Sequence, residues 1–106
     1  MSRELARQST PETYRSMDEF RKRGDAVRES AKSLVIEFMR ASDVCQPGRE
    51  GMRLASMFRA CGFDWGDYPK ATSSNQQYWI VALVQELERE GLVERVSDSG
   101  PYRLRK

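Results

Sequence analysis

Histidine is absent from the 106 residues, which removes the side chain that most often serves as a general acid–base group or metal ligand near neutral pH. Cysteine is scarce. Cys45 and Cys61 are widely spaced and form neither a Cys-x-x-Cys redox pair nor the clustered ligand spacing of a zinc site. They read as reduced thiols of a cytoplasmic protein. No apolar run approaches the roughly 20 residues that cross a bilayer, and Met1 to Gln8 lacks the apolar core of a secretion signal. A soluble chain with no membrane partner is expected. Phosphate-binding loops and dinucleotide-binding glycines are also missing. Asp64 and Asp67 stand alone, without the further oxygen ligands a hard cation needs. No catalytic residue, metal or cofactor is therefore expected, and the chain does not read as an enzyme.

A large charge excess is lacking too. Lys plus Arg number 18 and Asp plus Glu 16, a net charge of +2, too small to mark a nucleic-acid binder by composition. The distribution says more: Arg95 to Lys106 carries four basic residues and one acid. With 39% hydrophobic and 32% charged residues the composition is globular, and a chain of this length buries about two-thirds of its unfolded surface.

Residues 1–24 read as a polar tail followed by a helix. Thr10-Pro11-Glu12 is a helix-start signal, and Tyr14, Met17 and Phe20 form a thin apolar edge. Such an edge needs cover, either on the rest of the domain or in a dimerisation arm. Arg21-Lys22-Arg23 is a solvated charge run or a phosphate-contacting patch, and Gly24 is expected to break or kink the helix.

Residues 25–106 read as the main domain. Val27, Ala31, Leu34, Val35 and Phe38 give a second helix ending near Ala41-Ser42. Ser42 to Gly51 reads as a loop or short strand, and Leu54, Met57, Phe58 and Cys61 mark a third helix stopped by Gly62. Phe63, Trp65 and Tyr68 then lie in a long connection, either as anchors packed on the domain or as an exposed binding surface. Ser73 or Ser74 caps the last helix. It turns Trp79, Ile80, Leu83, Val84 and Leu87 to the core and Tyr78, Val81, Ala82, Gln85 and Arg89 outward, up to Gly91. Leu92 to Val96, the turn residues Asp98 to Pro101, and Tyr102 and Leu104 alternating with arginines predict a two-stranded ribbon. The expected core is Val27, Leu34, Val35, Phe38, Leu54, Phe58, Trp79, Ile80, Leu83, Leu87, Val93 and Leu104.

The string Leu87-Glu88-Arg89-Glu90-Gly91-Leu92-Val93-Glu94-Arg95, ahead of a polar turn and an aliphatic return strand, resembles the end of the recognition helix and the wing of winged helix-turn-helix proteins. The tryptophan early in the last helix and the wing after Gly-Leu are loosely similar to the N-terminal winged helices of Mrr-like restriction enzymes. The resemblance covers about Asp25 to Lys106. It implies a mostly helical α+β fold, a winged helix-turn-helix with an extra N-terminal helix and a C-terminal two-stranded wing. The connection from Gly62 to Ser73 is longer than the turn of three or four residues usual in a helix-turn-helix.

The resemblance implies double-stranded DNA as partner, in a small transcriptional regulator that forms a homodimer through its N-terminal helix. Asn75, Gln77, Tyr78, Val81 and Gln85 occupy the outward side of the last helix, where amides pair with adenine and small apolar groups meet the thymine methyl. Lys70, Thr72, Ser73 and Ser74 lie where hydroxyls and backbone N–H groups meet phosphate, and Arg95, Arg103, Arg105 and Lys106 arm the wing. The same helix face also reads as solvated surface or as a protein contact. Glu86, Glu88, Glu90 and Glu94 read as a solvated acidic face that keeps the C-terminal half of the helix away from DNA. The alternative function is a protein–protein adaptor using the aromatic 63–68 loop, with a protein as partner.

Overall fold

The computed structural model describes residues 10–64, 74–98 and 100–106, with side chains from 17 to 64, 78 to 98 and 100 to 106. In chain order the elements are helix α1 (Thr10–Ala41), a 3-10 turn (Asp43–Cys45), helix α2 (Leu54–Ala60), helix α3 (Ser74–Arg89) and strands β1 (Val93–Arg95) and β2 (Tyr102–Leu104). The described residues thus form a mostly helical α+β fold with three α-helices and a two-stranded antiparallel sheet. Contacts divide it into two compact units, Met1–Ser30 and Ala31–Lys106.

The break expected at Gly24 does not occur. The two expected helices are one, α1, of 32 residues. A single glycine in an exposed helix costs only about 1 kcal/mol relative to alanine, and the flanking Arg21, Lys22, Arg23 and Ala26 are good helix formers. At its other end α1 stops at Ala41, where the Gln46 side-chain amide donates to the carbonyls of Ser42 at 2.8 Å and Met39 at 3.0 Å. The same amide also donates to the Arg40 carbonyl at 3.1 Å, an acceptor of the last turn that the helix itself does not satisfy.

The core lies in the second unit. Ala31, Val35, Ile36 and Met39 of α1, Cys45 of the 3-10 turn, Met57 and Phe58 of α2, Ile80, Leu83, Val84 and Leu87 of α3, and Val93 and Tyr102 of the hairpin are all buried. Phe38, Leu54 and Leu104 pack against this cluster half-buried. Three expected core residues are exposed instead: Val27 at 64%, Leu34 at 40% and Trp79 at 44%. On α1 the buried positions are Ala31, Lys32, Val35, Ile36 and Met39; of the expected stripe, Ala31 and Val35 are buried, Phe38 is half-buried, and Val27 and Leu34 are exposed. Lys32 also lies on the inward side and reaches two glutamates of the segment that ends α3.

Both short-range helix stops use the same hydrogen-bond pattern. At α3, Leu92 N–H donates to the Leu87 carbonyl and Gly91 N–H to Glu88, both at 3.0 Å, with Gly91 at φ 81°. This paired closure needs a left-handed residue after the helix, which glycine adopts without a Cβ clash. At α2, Phe63 N–H donates to the Phe58 carbonyl and Gly62 N–H to Arg59, again at 3.0 Å. The accompanying apolar contact is Phe58 with Phe63, ring centroids 6.0 Å apart. Phe63 also meets Trp79 edge-on at 4.7 Å. Of the three aromatics in the long connection, Phe63 is thus an anchor; Trp65 and Tyr68 lie outside the described residues.

The hairpin pairs Val93 with Leu104, Glu94 with Arg103 and Arg95 with Tyr102. A third segment joins it. Met52 bridges Tyr102 in both directions, at 2.8 and 2.9 Å, one residue beyond the 42–51 stretch read as a loop or short strand. This bridge ties the entry to α2 to the return strand.

Candidate nucleic-acid interface

The outward side of α3 is Tyr78, Ala82, Gln85 and Arg89, at i, i+4, i+7 and i+11, and all four are exposed. Val81 is half-buried on the flank toward the hairpin. Ser74, Asn75 and Gln77 lie in the first turn of α3, while Lys70, Thr72 and Ser73 fall outside the described residues. The outward row carries one cation and no acid. Arg89 was legible in the sequence as outward-facing but not as part of the footprint.

The acidic face expected at the end of α3 is not a free one. Lys32 Nζ, with its side chain only 7% exposed, donates to Glu86 Oε2 and Glu90 Oε2, both at 2.7 Å. Glu88 pairs with Arg95 at 3.5 Å, and Glu94 accepts from Arg103 Nε at 2.7 Å. Glu86 and Glu90 are drawn to one flank of α3 and Glu88 to the other, so the row between them is left without a carboxylate. A short-range charge pairing of this kind reduces the negative field that would oppose a phosphate backbone.

The same pairing engages two of the four basic residues read as wing contacts. Arg103 is held by Glu94 and donates through Nη1 to the Arg49 carbonyl at 2.8 Å. Arg95 donates to the Asp98 carbonyl at 3.3 Å and its guanidinium carbon lies 6.0 Å from the centre of the Tyr102 ring. Arg105 and Lys106 are exposed and have no ion pair among the described residues.

Between the start of α2, α3 and the hairpin lies an open groove of about 340 Å³, lined by Arg53, Leu54, Val81, Arg95, Pro101 and Tyr102 among others. Arg53 is exposed at the entry to α2 and was not singled out in the sequence; a lone arginine in a loop carries no signal until the fold sets it beside Arg95. Burial pushes the Tyr102 hydroxyl above its ordinary range, with the nearby Arg95 lowering it and Glu88 raising it. Among the described residues no group of three or more Cys, Asp or Glu is placed to hold a metal ion, and no helix is long and apolar enough to cross a membrane.

Both cysteines are free. Burial pushes the Cys45 thiol up, against a smaller opposing effect of the hydrogen bond with Ser42, and burial followed by the nearby Cys45 raises Cys61. A thiol raised in the folded state keeps a proton that the unfolded chain releases above about pH 8.5. Its contribution to stability is therefore complete below that pH and is lost as pH climbs through the folded values. Urea midpoints should be level near neutrality and fall at alkaline pH, and a Cys45→Ala variant should show a shallower alkaline fall. An unchanged slope would show that the thiol does not carry the effect.

Comparison with family models, with curated proteins and with solved structures gives no match. The class that the fold and surface define is a small, mostly helical α+β protein with a hairpin following its last helix.

Proposed function

We propose that the chain is a winged helix that binds double-stranded DNA through the outward row of α3 and the end of the hairpin, in the manner of a small transcriptional regulator. The observation that carries the reading is the exposed row Tyr78, Ala82, Gln85 and Arg89, from which the neighbouring glutamates are drawn away by Lys32 and Arg95. Gln85 offers the amide that pairs with adenine, Ala82 a methyl-sized contact, and Arg89 a guanidinium for phosphate or guanine. The helix–helix–hairpin order and the Met52–Tyr102 bridge fit the same architecture. The adaptor alternative keeps less of its surface, since Phe63 is packed against Phe58 and Trp79.

The cations available to DNA are Arg89, Arg105 and Lys106, with Arg53 at the groove. Arg103 supports the hairpin instead. Anisotropy of a labelled duplex at about 50 and 200 mM salt should show binding that weakens steeply with salt. Joint replacement of Arg105 and Lys106 by alanine should weaken it about tenfold and lower the salt slope by about two, one per lost phosphate contact. Binding that is absent at both salts would remove the DNA reading; binding untouched by the double replacement would move the contact elsewhere on the chain.

A further inference from the structure

In the first unit, α1 presents Met17, Phe20, Gly24 and Val27 at successive spacings of three, four and three, the alternation of a coiled-coil seam. Met17 is 64% exposed, Phe20 59% and Val27 64%. Nothing lies within 4 Å of where a Gly24 Cβ would stand, so the middle of the seam is open to close approach by another backbone. The positions beside the seam are basic: Arg21 follows Phe20, Arg28 follows Val27, and Arg23 precedes Gly24. All three are exposed. Arg23 lies with its guanidinium carbon 5.8 Å from the centre of the Phe20 ring, covering part of the seam edge. Arg28 pairs with Asp25 at 3.1 Å, with both side chains 57% exposed.

From these positions we infer that the 17–28 face of α1 is a docking surface for an acidic amphipathic helix of a partner protein. The flanking residues of such a seam select the partner by charge. A second copy of this chain is disfavoured in either direction: a parallel pairing sets Arg23 beside Arg28 of the other copy, and an antiparallel one sets Arg21 and Arg23 each against its own counterpart. A partner helix with glutamates flanking an apolar seam meets all three arginines with opposite charge, and its bulky apolar residue seats over Gly24. The surface is separate from the α3 row and does not depend on the DNA reading.

The test uses the full chain and a labelled synthetic peptide of about three heptads, with leucine at the seam positions and glutamate beside them; a lysine version is the control. The acidic peptide should bind and the lysine peptide should not, with binding weakened about tenfold or more by Phe20→Glu. Joint reversal of Arg21, Arg23 and Arg28 to glutamate should exchange the preference to the lysine peptide while circular dichroism shows the helix retained. Failure of the acidic peptide to bind overturns the proposal, as does equal binding of both peptides. So does sedimentation of the protein as a dimer that Phe20→Glu dissociates, which would give the face to a second copy.

Discussion

Replacing Gly51 by alanine is expected to cost about 3 kcal/mol, the sum of left-handed strain, a backbone clash and weakened bridge hydrogen bonds. Gly51 has φ +83°, and a Cβ there would stand 2.7 Å from the Tyr102 carbonyl oxygen and 2.9 Å from Val96 Cγ2. The carbonyl cannot move freely, because it accepts the Met52 N–H that joins the entry of α2 to the hairpin. Gly51 N–H itself donates to Val44 at 2.7 Å, so the segment is held from both sides. Gly48 is the control. It has a similar φ of +81° but nothing within 4 Å, so alanine there should cost only the strain, about 1 kcal/mol. Urea denaturation of the two variants separates the causes: equal losses would show that close approach at Gly51 contributes nothing. Duplex affinity, if the hairpin carries contacts, should fall with Gly51→Ala and hold with Gly48→Ala.

Lys32→Met is the second large effect. It removes the cation between Glu86 and Glu90, leaving two like charges facing a buried apolar stem. Breaking a fully buried pair costs about 3–5 kcal/mol, but the two glutamate side chains are 33% and 42% exposed, so water screens part of the loss and about 2 kcal/mol is expected. For a domain of this size that is roughly a 10 °C fall in Tm. Adding Glu86→Gln and Glu90→Gln should recover much of it, since the repulsion disappears with the charges. A triple variant no more stable than Lys32→Met would show that the lysine acts by packing its stem and not by its charge. The single variant should also weaken duplex binding at low salt, because it removes a positive charge beside the glutamates that flank the α3 row.

Much of the fold was legible because local rules and the tertiary outcome agree. Gly62 and Gly91 stop their helices where the periodicity ends, and the Val93–Arg95 and Tyr102–Leu104 strands fall inside the stretches marked by β-branched residues and turn chemistry. Gly24 misled: a lone glycine permits a break without requiring one, and the helix formers around it carry α1 through. On α1 the expected stripe held Ala31 and Val35, which are buried, and left out Ile36 and Met39, which are buried as well. Apolar periodicity cannot anticipate that Lys32 faces inward to meet two carboxylates from a segment more than fifty residues away. On α3 the outward placement of Tyr78, Ala82 and Gln85 follows from helical spacing. On the hairpin the pairing of Arg95 and Arg103 with glutamates was not legible, since an arginine in a sequence has no visible partner.

By itself the sequence determined helices α2 and α3 with their glycine stops, the hairpin and the outward row of α3, because each depends on residues within a few positions of one another. Only the tertiary structure decided which charges are free. Glu86, Glu88, Glu90 and Glu94 change from a solvated acidic face to partners of Lys32, Arg95 and Arg103, while Arg105 and Lys106 remain exposed. Charge pairing acts through space at a few ångströms, and only the packed chain brings those distances about.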